Sequence, residues 1–110
     1  SKISKIEHAT FKNAAKLQKI SLPDTLTYIG AEAFSGCAAL AEIKIPDSVK
    51  EIANAAFKNA ALKSVNTGNG VAKINAEAFS GNKALTDLYL GNNVEKLDPI
   101  TFNFINQHIP

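Results

Sequence analysis

Arginine, tryptophan and methionine are absent from the 110 residues, and cysteine occurs once, as Cys37. Arginine is the preferred planar fork for phosphate, guanine edges and buried carboxylates. All twelve basic residues are Lys, so nucleic-acid recognition is not expected. One cysteine excludes an intramolecular disulfide framework and gives no zinc spacing, and it leaves the redox compartment open. Apolar runs extend only a few residues, far short of the roughly 20 that a spanning helix needs. No signal peptide or transit segment is visible, and membrane insertion is not expected. No Asn-x-Ser/Thr sequon occurs. Without a Met to begin it, the chain is expected to be a processed or excised piece of something longer.

The composition that remains is that of an ordinary soluble domain, 45% hydrophobic and 20% charged, with a net charge of +2 and both signs interspersed. Its length suits one domain. The organising signal is a ladder of phenylalanines: Phe11, Phe34, Phe57, Phe79 and Phe102 recur at steps of 23, 23, 22 and 23 residues. Other apolar columns keep the same step. Ile6, Ile29, Ile52, Ile74 and Leu97 open the coils; Leu17, Leu40, Leu62 and Leu85 follow each Phe. Then come Ile20, Ile43, Val65 and Leu88, followed by Leu22, Ile45, Thr67 and Leu90. Leu26, Val49, Val71 and Val94 close the set. Several apolar columns in step at a period of 20–50 residues describe a solenoid. Complete coils are assigned to residues 6–28, 29–51, 52–73 and 74–96, with a partial coil at 1–5 and a C-terminal cap at 97–110.

Within each coil the run Leu40-Ala-Glu-Ile43-Lys-Ile45 and its counterparts alternate apolar and polar, which predicts a short strand with one face inward. Strands repeated at one place in every coil lie side by side and parallel, four of them in this sheet. They end in Pro23-Asp24, Pro46-Asp47, Gly68-Asn69 and Gly91-Asn92, all turn chemistry. A second, smaller strand is expected near Val49 and Ile52 on the opposite side. Ala31-Glu32-Ala33-Phe34 and its counterparts predict one helical turn, closed at Asn13, Gly36, Asn59 and Gly81 by residues that accept the left-handed conformation. Coils one and three share Phe-Lys-Asn-Ala-Ala, and coils two and four share Ala-Glu-Ala-Phe-Ser-Gly, so a two-coil unit is duplicated. Coil three is one residue short between Ala61 and Leu62, and a looser turn is expected at Thr67-Gly68-Asn69-Gly70.

No catalytic, cofactor or metal constellation emerges. On stacked coils His8 and His108 are expected to be about four strand spacings, roughly 19 Å, apart. Cys37 has no adjacent base and reads as a small buried hydrophobe. Asp24, Asp47, Asp87 and Asp98 are read as falling in different columns, so no calcium ladder is expected. The Phe ladder shares its period with the Leu and Ile columns and reads as core. What is left is surface. Residues flanking the inward strand positions point outward: Lys19 and Ser21, Glu42 and Lys44, Ser64 and Asn66, Asp87 and Tyr89. They vary from coil to coil while the core columns stay fixed, and they form the candidate binding face. Tyr89 leads, because Tyr is enriched among binding hot spots. The unpaired strand of the first coil is also expected to promote end-to-end self-association.

Written for coil two, Ile29-Gly-Ala-Glu-Ala-Phe34-Ser-Gly-Cys37-Ala-Ala-Leu40-Ala-Glu-Ile43-Lys-Ile45-Pro46-Asp-Ser-Val49 resembles the BspA-like class of leucine-rich repeats. Nearly the whole chain is covered. The Cys column reads Ala14, Cys37, Ala60 and Asn82, and the Pro column becomes Gly in coils three and four. The resemblance implies a leucine-rich-repeat solenoid, an α/β-type right-handed superhelix with a parallel β-sheet on its concave face. It also implies a non-enzymatic adhesion or protein-interaction module of a bacterial secreted or cell-surface protein, meeting a protein or glycan partner. A spacer segment of a longer array, binding nothing itself, is the other reading.

Overall fold

The computed structural model of the chain describes residues 3–97, with side chains through Glu95. Phe102, Phe104, Asp98, His108 and all but the first residue of the cap expected over 97–110 lie outside the described residues. The chain winds as a parallel-strand β-solenoid of about four turns. Strands β1 (Lys5–Ile6), β2 (Tyr28–Ile29), β4 (Glu51–Ile52), β6 (Lys73–Ile74) and β8 (Lys96–Leu97) form one sheet. Strands β3 (Glu42–Lys44), β5 (Ser64–Asn66) and β7 (Asp87–Tyr89) form the other. Every pairing is parallel and in step with the repeat: Ile6, Ile29, Ile52, Ile74 and Leu97 stand in register, as do Ile43, Val65 and Leu88.

The Phe ladder is core, as the shared period predicts. Phe34, Phe57 and Phe79 are fully buried. The four described rings stack with centroids 5.2, 5.0 and 5.5 Å apart, close to the strand spacing of about 4.8 Å that sets the rise per coil. Phe11 is half-buried with a ring on one side only, and Leu17, Ile20 and Leu22 of the same coil are likewise only partly buried. Cys37 is buried, and its thiol donates to the Phe11 carbonyl at 3.2 Å; burial pushes its pKa up.

Two expectations need correction. The segment around each Phe is not a helical turn, and no helix occurs among the described residues. Alternate N–H groups point to different places. Glu32, Phe34 and Gly36 donate to Asn54, Ala56 and Lys58 of the next coil at 3.0, 2.7 and 2.8 Å. Ala33, Ser35 and Cys37 donate three residues back within their own coil at 3.1, 3.1 and 3.3 Å. A single helical turn is costly to nucleate, whereas a stacked coil offers every second donor a carbonyl at hydrogen-bond distance. Left-handed residues interrupt the segment twice. One column is the expected Asn13, Gly36, Asn59 and Gly81; the other, not foreseen, is Ala9, Glu32, Ala55 and Glu77, with φ between 56° and 58°.

The second correction concerns coil one. Residues 17–22 do not join the β3–β5–β7 sheet, which has three strands and not four. With Ile20 and Leu22 only partly buried, pleating that segment against one neighbour would bury too little to be favoured. The second sheet does appear, with shorter strands but more of them.

The two-coil unit acquires a physical cause at the turn around each Phe. A Cβ on Gly36 would lie 2.1 Å from Asn13 Oδ1, and one on Gly81 would lie 1.9 Å from Asn59 Oδ1. The Asn of an odd coil therefore covers the Gly of the even coil above it. Lys12 pairs with Glu32 and Lys58 with Glu77 in the same odd-to-even sense. Hydrogen bonding and charge from Lys12 hold the Glu32 carboxyl below the usual carboxylate range, with His8 and Lys58 adding to the effect.

Candidate functional site

The outward residues of β3, β5 and β7 stand in two rows. Glu42, Ser64 and Asp87 are in register in one; Lys44, Asn66 and Tyr89 are in register in the other. Ile43 and Val65, between the rows, are buried and Leu88 partly so, and this pleat is what turns the flanking side chains outward. Lys19 and Ser21 of coil one lie exposed beside the sheet and outside its ladder. Seven of the eight predicted residues are exposed, Tyr89 most clearly at 66%; Ser64 is half-buried.

Three shallow, open troughs run together along this face. Lys44 lines all three, Asn66 two of them, and Tyr89 closes the C-terminal one. Asp87 lines none of them. Neither ion pair among the described residues involves any of the eight. Of the eight, only Asn66 has its side chain bonded to a described residue, its Oδ1 accepting the Gly68 N–H at 3.0 Å. The face thus offers unpaired donors and acceptors of both signs with one exposed aromatic ring.

The trough at Tyr89 also has a rim that strand alternation does not reveal. Asp24, Asp47 and Asn69 border it. Asp24 and Asp47 are 23 residues apart and occupy one column, continued by Asn69 and Asn92, so the reading of these aspartates as falling in different columns is corrected. The signal was the shared Pro-Asp pair before each turn. Asp47 Oδ1 accepts the Asn69 N–H at 2.9 Å, and Asn93 Nδ2 donates to the Asn69 carbonyl at 2.6 Å. The turn expected to be loose is therefore tied on both sides. Thr67, buried in an apolar column, adds to this: its hydroxyl donates to the Tyr89 carbonyl at 3.2 Å and accepts from the Gly91 N–H at 3.1 Å.

Among the described residues no three His, Cys, Asp or Glu side chains gather where they would hold a metal ion. Nor is any helix among them long and apolar enough to cross a membrane.

The BspA type leucine rich repeat region model matches six copies across residues 4–108. The chain belongs to this family. Solved structures agree with its architecture. A leucine-rich repeat protein of Treponema pallidum matches at 29% identity with a TM-score of 0.80, covering 96% of this chain and 55% of its own. One from Bacteroides ovatus matches at 33% identity and TM-score 0.73, over 80% of this chain and 25% of its own. A leucine rich cell surface protein of Faecalibacterium prausnitzii matches at 25% identity and TM-score 0.67, over 78% and 29%. This BspA-type chain therefore spans about a quarter to a half of the length of these relatives. No curated protein matches it.

Proposed function

We propose that this BspA-type repeat is a non-catalytic interaction or adhesion module of a bacterial surface or secreted protein. It meets a protein or glycan partner through the β3–β5–β7 face. The supporting observation is the continuity of the three troughs, lined by Lys19, Ser21, Glu42, Lys44, Ser64, Asn66 and Tyr89, whose side chains spend almost none of their hydrogen-bonding capacity on other described residues. A surface location is supported by the likeness to the Faecalibacterium cell surface protein.

Replacing Tyr89, Lys44 and Asn66 together by Ala tests the reading against any partner. Loss of a Tyr-centred hot spot weakens binding by at least about 2 kcal/mol, on the order of thirtyfold. Affinity unchanged by the triple substitution would remove this face as the site. The spacer reading is favoured by the small size of the patch, eight residues beside the roughly 20–30 per side of a standard interface. It predicts that no partner of the longer protein needs these side chains.

End-to-end pairing through coil one is proposed on a separate observation, the half-buried Phe11, Leu17, Ile20 and Leu22 at that end. Light scattering should show mass rising with concentration. A strictly monomeric chain at high concentration would rule the pairing out.

A further inference from the structure

The turn after β5 contains Asn69-Gly70, the only Asn-Gly step in the chain. Asn69 is exposed, and its carboxamide makes no hydrogen bond to any described residue. Asn92, next in the column, is also exposed and unengaged by any described residue, but Asn93 and not Gly follows it; several other Asn side chains are engaged. Asn82 makes three hydrogen bonds, Asn66 accepts from Gly68, Asn75 donates to Glu51, and Asn93 donates to Asn69. The Gly70 N–H also has no partner among the described residues. After Asn13, Asn54, Asn59 and Asn66, by contrast, the following N–H is bonded, from Ala14, Ala55, Ala60 and Thr67. Gly70 carries no Cβ to shield its nitrogen, and packing forbids one: a Cβ there would lie 1.8 Å from the Asp47 carbonyl oxygen.

We propose that Asn69 is a site of spontaneous deamidation. The Gly70 amide nitrogen attacks Asn69 Cγ and forms the new C–N bond of a succinimide. The side-chain nitrogen leaves as ammonia, carrying the proton that Gly70 gives up. Water then opens the ring at either carbonyl, yielding Asp or isoaspartate. No electron is transferred, and water is the only co-reactant. The two reacting groups, the carboxamide and the following N–H, are the ones the turn leaves untied, while the Asn69 N–H and carbonyl are held by Asp47 and Asn93.

The products differ in how they fit. Asp at position 69 repeats what the column already carries at Asp24 and Asp47, and places a third carboxylate on the rim of the Tyr89 trough. Isoaspartate lengthens the backbone by one carbon and disturbs both bonds that hold the turn. This chemistry needs no ligand and stands apart from the interaction reading.

The test is to incubate the full chain in mildly alkaline buffer at physiological temperature and map its tryptic peptides over time. The peptide Ser64–Lys73 should gain the mass difference between an amide and an acid, with fragmentation placing it on Asn69 and not Asn66. Isoelectric focusing should show an acidic shift of one charge that Asn69→Gln abolishes. Two results would overturn the proposal: another Asn converting while Asn69 stays intact, or Asn69 converting only in a denatured control.

Discussion

Replacing Phe57 by Ala is expected to cost about 3–5 kcal/mol of stability, the range for truncating a fully buried aromatic. The ring is wholly buried, with Phe34 stacked at 5.0 Å on one side and Phe79 at 5.5 Å on the other. Removing it opens a void at two coil–coil contacts at once. In a solenoid those nearest-neighbour contacts carry much of the stability, so the lesion also weakens the coupling between coils two and four. Phe11→Ala is the control, since its ring is half-buried and stacks on one neighbour only. Urea unfolding should show a clearly smaller loss there. Equal losses at the two positions, or a nearly unchanged midpoint for Phe57→Ala, would contradict the core assignment.

The second large effect is expected at Asn82. In coils one, two and four the Leu that follows the Phe donates its N–H three residues back, from Leu17 to Ala14, Leu40 to Cys37 and Leu85 to Asn82, each at 3.1 Å. Coil three lacks one residue there, and Leu62 has no such carbonyl to reach. Its N–H donates instead to Asn82 Oδ1 of the next coil at 3.0 Å. The same carboxamide donates through Nδ2 to the carbonyls of Phe57 and Phe79, both at 2.8 Å. Asn82 is fully buried, so no water replaces what it supplies. Asn82→Ala strands the Leu62 donor and should cost roughly 2–3 kcal/mol, the penalty of leaving a buried polar group unsatisfied. Inserting one Ala between Ala61 and Leu62 in the Asn82→Ala chain restores the within-coil bond and should recover part of the loss. Unfolding of the single, insertion and combined variants gives the coupling directly. Strict additivity would show that Asn82 does not compensate for the shortened coil.

That compensation marks where reading the residues alone runs out. Asn82 is visible in the sequence as a polar residue in a column otherwise Ala or Cys, and the shortened coil is visible 20 residues earlier, at Leu62. Nothing local links them. The same holds for Asn13 over Gly36 and Asn59 over Gly81, which sequence reading takes as interchangeable left-handed residues and the fold reveals as complementary partners. Lys12 with Glu32 and Lys58 with Glu77 complete that odd-to-even pairing.

The candidate face divides in the same way. The outward positions of β3, β5 and β7 follow from alternation, because successive strand side chains must point to opposite faces. The rim of Asp24, Asp47 and Asn69 does not, because turn residues have no such rule and their convergence depends on how turns stack. Lys19 and Ser21 carry the right pattern, yet coil one has no described coil before it and its segment stays out of the sheet.

The period, the inward columns, the parallel stacking and the left-handed column at Asn13, Gly36, Asn59 and Gly81 can all be read from the order of the residues. Each of these follows from side-chain chemistry repeated at a constant step. That the Phe segment is not helical, which coil lacks its strand, and how odd and even coils interlock emerge only when the coils stack. Those outcomes rest on hydrogen bonds and contacts between residues about 20–26 apart in the chain, and such contacts exist only once one coil lies on the next.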